Sequence, residues 1–261
     1  MKKIFTRKSI LSLFLLMLII GVESLFAQVD TSSINKVQGG KNLIQINLPA
    51  ILLKNYSLVY QRAVAKKIAV GLGIRYSAES ELPFRSQFAD LLDEETKKQI
   101  DNFRTGNVAF TPEVRFYMGK SVFRGFYIAP FARYAKYDAK LPFNYDYEHP
   151  VNGPQTNNIQ LNGDLTTITG GILFGAQWKL SKLVYLDWWM LGPQYGTSDG
   201  TILGKQALSS EEQTALRDEL KNLEDLPLVD VTSEVRSDGA TVNFKGPWAG
   251  VRAGICLGFR F

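Results

Sequence analysis

Charged residues in this chain recur on alternate positions inside otherwise apolar stretches. "PEVRFY" sets Glu113 and Arg115 two apart, and Arg75, Arg133, Asp187 and Arg252 occupy like places in "GLGIRY", "APFARY", "VYLDWW" and "AGVRAG". A spacing of two puts side chains on one face of an extended strand. Six such groups turned into a narrow interior must pair or stay wet. Lys179 and Arg260 share that parity, so cations outnumber acids six to two. Two chemistries follow. One is an anion path or selectivity filter. The other is a plug of ion pairs, with Glu113 and Asp187 held among the arginines. An eight-stranded interior is only wide enough for side chains, which favours the plug.

Catalysis finds little support. The one histidine, His149, lies in "NYDYEHPVNGP". A hydrolase would need it beside a nucleophile or carboxylate, and the neighbouring Asp146 and Glu148 fit an ordinary polar turn. Barrels that modify lipid A pair His with Ser, but their motifs find no match here. One Cys and one His cannot build a conventional zinc site, and Asp146 and Glu148 lack calcium-loop spacing. No glycine-rich phosphate loop occurs. The expectation is no catalytic residue, no metal and no cofactor. Cys256 has no partner for an internal disulfide and reads as a small inward residue.

The elements that would carry these groups are strands of period two. "VAFTPEVRFY" sets Val108, Phe110, Pro112, Val114 and Phe116 against Ala109, Thr111, Glu113, Arg115 and Tyr117. "IAVGLGIRY", "GFYIAPFARYAKY", "ITGGILFGAQW" and "VYLDWWM" split the same way. A less regular pair comes first, in which Ile44, Ile46, Leu48 and Ala50 look outward before "YSLVYQRAVA". In the closing "AGVRAGICLGFRF", Ala249, Val251, Ala253, Ile255, Leu257, Phe259 and Phe261 take one face, and Gly250, Arg252, Gly254, Cys256, Gly258 and Arg260 the other. The sum is an all-β fold, an eight-stranded antiparallel transmembrane β-barrel. Its outer rows would face lipid. Pro112 and Pro130 each remove a ladder donor and are expected at bulges or bends.

Connections agree with such a barrel. Ala65–Lys67, Met118–Arg124 and Leu180–Lys182 are short and would lie on the periplasmic side. On the outer side a tight turn at Lys54–Asn55 is joined by three long loops, about Ala78–Gly106, Asp138–Leu165 and Gly192–Lys245. Two helices are expected in them, over 86–103 and 209–227. The second has Ser209 and Glu212 as a capping box and Leu216, Leu220 and Leu223 on one face. "VDVTSEVRSDGATVNF" then reads as a hairpin around Asp238–Gly239.

The stretches "NLPAILLKNYSLVYQRAVAKKIAVGLGIRY" and "PEVRFYMGKSVFRGFYIAPFARYAKYD" are similar to a Bacteroidetes outer-membrane β-barrel family of unknown function, which shares its architecture with the small OmpA and OmpX barrels. The resemblance covers most strands and none of the long loops. It implies fold and location and brings no activity. Phe259 and Phe261 resemble the C-terminal signal read by the barrel-assembly machinery, an expected partner along with outer-membrane lipid.

The N-terminal segment fits export. Lys2, Lys3, Arg7 and Lys8 precede the apolar run Ile10–Ile20, too short for a membrane helix but suited to a secretory signal. The expected organisation is a signal peptide over 1–27, a periplasmic lead over 28–41 and the barrel over 42–261. The net charge of +5 draws four cations from that signal, so the remainder is close to neutral and a nucleic-acid partner is not expected. The destination is the outer membrane of a Gram-negative cell. The expected role is structural or surface recognition without catalysis, with an extracellular ligand or protein at the loops. A small pore is the second reading and a lipid-A-modifying enzyme the third.

Overall fold

The computed structural model describes residues 40–81, 103–224 and 228–261. In chain order the elements are β1 (Asn42–Asn47), α1 (Leu48–Leu52), β2 (Asn55–Ala65), β3 (Ile68–Glu81), β4 (Arg104–Tyr117), β5 (Gly125–His149), β6 (Gly153–Lys179), β7 (Val184–Lys205), α2 (Ser210–Glu224), β8 (Asp230–Arg236) and β9 (Gly239–Arg260). Each strand from β1 to β7 pairs antiparallel with the next, and β7 pairs with β9. The ring closes where β1 meets β9, from Leu43↔Arg260 to Asn47↔Cys256. Short β8 pairs only with the first part of β9. Among the described residues the wall is therefore eight strands, and the fold is a closed antiparallel β-barrel.

Alternation in the sequence becomes two faces. Val108, Phe110, Ile168, Ile172, Phe174, Leu257 and Phe259 all project outward and are exposed, while Ala109, Thr111, Glu113, Thr169, Leu173 and Cys256 are buried inside. Inward glycines make room for the larger inner side chains. A Cβ on Gly175 would stand 2.3 Å from the Tyr127 hydroxyl, and one on Gly71 would stand 2.9 Å from Glu113 Cγ.

Neither proline makes a bulge. Between β4 and β5 the register runs through Phe110↔Tyr134, Glu113↔Phe131 and Phe116↔Ile128 without a shift. The positions between these pairs include Pro112 and Pro130, so both missing donors fall on one seam. On their other sides Pro112 keeps Leu72 and Pro130 keeps Ile172. A bulge lies instead in β7, where Gly175↔Trp189 gives way to Phe174↔Leu191 and Met190 is the extra residue, and further register shifts fall between Ala63 and Ala65 and between Ser77 and Ser80. The bulge also shifts the seam to β9 between Trp189 and Gly192. Ala253, expected outward, lies opposite this bulge and is buried.

Three further expectations are corrected. β1 stops at Asn47, whose side chain accepts from the Ala50 amide at 3.3 Å, and Leu48–Leu52 turn into α1 with Pro in its first turn. Leu48 and Ala50 are thus helical, as suits an Asn N-cap followed by Pro. Asp138–Leu165 is no loop: β5 and β6 stay paired up to His149↔Gly153. Likewise Gly192–Lys205 and Gly239–Lys245 continue β7 and β9 in mutual register. The expected hairpin is present, with Arg236↔Gly239 flanking Ser237–Asp238. The expected helix over 209–227 runs from Ser210 to Glu224. The signal peptide, nearly all of the lead and nearly all of the helix expected over 86–103 lie outside the described residues.

One rim therefore carries only short turns, and at the other β5, β6, β7 and β9 rise beyond the ring. The apolar interior divides accordingly. One cluster fills the lumen near the short-turn rim, including Leu43, Tyr117, Phe123, Tyr127, Tyr185 and Trp189. A second, with Tyr145, Ile159, Leu216, Leu220, Val235 and Val242, lies in a lobe formed by the risen strands, β8 and α2.

Candidate functional site

The lumen is crossed by a layer of charges that the strands set at matching heights. Glu113 and Arg115 are on β4, and Asp187 faces them from β7. Arg115 Nε donates to Glu113 Oε1 at 2.6 Å, and its Nη1 donates to Asp187 Oδ2 at 2.5 Å. Arg252, from β9, donates to Glu113 Oε2 from both terminal nitrogens at 3.3 Å. Tyr127 OH and Trp189 Nε1 complete Asp187 at 2.8 and 3.0 Å. Arg115 and Asp187 are fully buried. Charges this deep are tolerated only when each is paired and hydrogen-bonded, and here both carboxylates are.

Aromatic rings and amides thicken the layer. Arg115 stacks over Tyr127 at 4.5 Å, and Arg252 lies over Phe131 at 4.4 Å and Trp189 at 4.8 Å. Tyr117 OH donates to Gln177 at 2.5 Å, and Gln61 is bonded to Gln45 at 2.5 Å. Nearer the short-turn rim, Phe123 packs edge-on to Tyr117 and Tyr185, with Arg260 above Phe123 and bonded to the Tyr185 hydroxyl. The contacts reach between distant strands of the ring, β4 to β7 and β4 to β6.

Not every charge of that parity joins this layer. Glu113, Arg115, Asp187 and Arg252 come together. Arg75 is higher in the lumen, where its Nε donates to Asn107 at 2.9 Å and a terminal nitrogen approaches Tyr137 OH at 3.5 Å. Arg133 is buried at the same level. Lys179 stands at the short-turn end of β6 and is half-buried. Phe259 and Phe261 are exposed on the outer face. Sequence reading missed Gln45, Gln61, Tyr117 and Gln177, since an uncharged polar residue on an inward position carries no signal beyond its parity.

The lobe at the other rim is a second candidate. Ser209 N–H donates to Glu212 Oε2 at 2.9 Å while Glu212 N–H donates to Ser209 Oγ at 3.2 Å, a reciprocal cap on α2. The same Glu212 accepts from Asn157 at 2.6 Å and Tyr145 OH at 3.1 Å, tying the helix to the β5–β6 hairpin. Burial alone would raise the Glu212 carboxyl, but the Ser209 amide, Asn157, Tyr145 and the Ser209 hydroxyl outweigh it and hold the group below the ordinary carboxylate range. The Tyr145 phenol is pushed up by burial and by the Glu212 charge. At the hairpin tip His149 Nδ1 accepts from the Val151 and Asn152 amides, each at 3.2 Å. That ring nitrogen closes a turn. An open groove of about 660 Å³ runs between the tip and α2, lined by Asp146, Tyr147, Glu148, Glu211 and Asp218 among others. Among the described residues no three His, Cys, Asp or Glu converge as metal ligands.

The family model for proteins of unknown function designated DUF3575 matches residues 24–195. The chain belongs to this DUF3575 family. No curated protein matches it. Among solved structures it is similar to CarO2 of Acinetobacter baumannii, at 12% identity over 87% of this chain and 100% of that one, with a TM-score of 0.38. It is also similar to the N-terminal β-barrel domain of OprF from Pseudomonas aeruginosa, at 8% identity over 86% and 100%, with a TM-score of 0.25. The DUF3575 match takes in Glu113, Arg115 and Asp187. Arg252, α2, β8 and the closing strand β9 follow it in sequence.

Proposed function

We propose that this DUF3575 member is a closed outer-membrane barrel that serves a structural or recognition role at the cell surface, without catalysis. The observation that carries the reading is the contrast between its two faces. Ile, Phe, Leu and Val side chains stand exposed on strand after strand, and so much contiguous apolar surface is foreign to a water-soluble monomer. Hydrocarbon is the solvent that suits it, and a closed ring leaves no strand edge unpaired there. Inside, the Arg115 layer bridges the lumen from β4 to β7. Outer-membrane barrels keep short turns on the periplasmic side and longer segments outside, so the short-turn rim is periplasmic and the lobe extracellular. The outward Phe259 and Phe261 would be read by the assembly machinery during insertion, and the lobe would meet an external ligand or protein.

The pore reading has one observation of its own, an arginine-lined cavity above the charge layer. Planar-bilayer recording of the folded chain separates the two. A sealed barrel gives no stable single-channel steps. Reproducible, ion-selective steps would overturn the closed reading.

A further inference from the structure

The two ends of the barrel differ in how their charges are matched. On the lobe side Lys136–Asp164, Lys140–Glu79, Arg236–Glu234 and Lys245–Asp199 form ion pairs. At the short-turn rim the charged side chains among the described residues are of one sign. The strand ends and turns there, residues 40–44, 60–70, 116–128, 176–186 and 257–261, contain no Asp or Glu. They carry Lys66 and Lys67 between β2 and β3, Lys120 and Arg124 between β4 and β5, and Lys182 between β6 and β7. Lys41 and Arg62 add to them beside the β1–β2 seam. All seven are exposed.

The frame under these cations is built by hydrogen bonds between turns. The Val122 amide donates to the Lys66 carbonyl at 2.7 Å, and the Tyr117 amide to the Lys67 carbonyl at 2.8 Å, so two of the basic turns are held side by side. Arg62 donates to Asn42 Oδ1 at 3.3 Å, and Tyr60 OH donates to the same oxygen at 2.8 Å. Next to the cations on the outer wall stand exposed apolar side chains, among them Val64, Met118, Phe126, Trp178, Leu180 and Phe261. An occupant of this edge must therefore bring hydrocarbon against the wall and negative charge at its margin. A nucleic acid or an acidic peptide supplies only the charge. A phospholipid with a net negative headgroup supplies both. Lys and Arg lay their stems along apolar surface and keep their heads in the polar layer, where they donate to phosphate oxygens. Clusters of such cations beside the hydrocarbon boundary draw anionic lipid toward them.

We propose, on the reading that hydrocarbon surrounds the ring, that the short-turn rim is a docking collar that selects anionic phospholipid headgroups in the leaflet beside it.

The test uses the full chain with Trp178 as its one tryptophan and Phe at the other three, folded into bilayers that mix phosphatidylglycerol with phosphatidylcholine. Trp178 lies on the outer wall one residue from Lys179 and near the β6–β7 turn. Bromine is placed on the acyl chains of one lipid and then of the other, and the two quenching curves give the relative affinity of the rim for each. It should favour phosphatidylglycerol by about threefold or more at low salt, and approach unity at about 0.5 M salt as the charges are screened. The triple variant Lys120→Gln, Arg124→Gln, Lys182→Gln should lose the preference. Lys136→Gln, Lys140→Gln, Lys205→Gln on the lobe side should keep it. Equal quenching by the two lipids, or an equal loss of preference in both triple variants, would overturn the collar. So would polyglutamate binding at the rim of the micelle-held chain without any lipid preference, which would assign the surface to a soluble polyanion. Native mass spectrometry of the unaltered chain released from mixed micelles adds a readout free of variants. Retained phosphatidylglycerol supports the collar, and retention of both lipids alike removes it. Quenching of Trp178 by neither lipid would remove the membrane reading itself, so the two failures are told apart.

Discussion

Arg115 holds the charge layer together because it alone touches both carboxylates. Its bond to Glu113 is 2.6 Å, while Arg252 reaches the same carboxylate at 3.3 Å. Glu113→Ala leaves two buried guanidinium groups short of a partner. Breaking a buried pair from one side costs about 3–5 kcal/mol, and urea unfolding of the folded chain in micelles should show a loss of that order. Arg252→Ala should cost less, since Glu113 keeps Arg115. Equal, small losses in the two variants would mean that the layer contributes nothing to stability. At this scale the sequence was informative about charge and blind to height. Parity placed Glu113, Arg115, Asp187 and Arg252 inward, where the structure has them. It could not say that Arg75 stands too high to join them, because height depends on how far each strand is staggered against the next.

At the scale of elements, α2 depends on Glu212 more than on its length. Glu212→Ala removes the reciprocal cap with Ser209 and the ties to Asn157 and Tyr145. Losing such a cap costs about 1–2 kcal/mol. Hydrogen exchange should show it as faster exchange in α2, with wall amides of β4 and β5 unaffected. Acid should act in the same place. The folded Glu212 titrates below the ordinary 4.5, so its stabilisation is fully present above that value and is lost as pH falls through the lowered one. With intrinsic rates corrected for pH, α2 should lose protection in acid before the wall does. Glu212→Gln should abolish that pH dependence. Protection of α2 that does not change with pH would contradict this role for the carboxylate.

The same scale explains why the wall was legible and the lobe was not. Inside the ring, alternate residues meet two different surroundings, and "GLGIRY" or "GFYIAPFARY" record that contrast. Beyond the ring both faces of the β5–β6 hairpin are mixed. "LPFNYDYEHPVNGPQTNN" carries Pro, Gly and Asn throughout and reads as a loop, yet it pairs without interruption. The prolines misled for another reason. A lone sequence shows a missing donor but not the seam it faces, and here β4 and β5 direct theirs to the same one. The helix of the lobe was readable because a capping box and a leucine stripe are local signals.

For the molecule as a whole, everything rests on what surrounds the ring. Two adjacent residues of β7 probe it directly. Trp188 is stacked on Trp178, which is outward and exposed, whereas Trp189 is buried in the lumen beneath Arg252. Variants with Phe at the other three tryptophans isolate each ring in turn. They can be folded into bilayers whose acyl chains carry bromine, a contact quencher of tryptophan fluorescence. Trp188 should be strongly quenched and Trp189 almost untouched. Equal quenching of both, or a folded chain that stays monomeric in plain buffer with Trp188 unquenched, would contradict it.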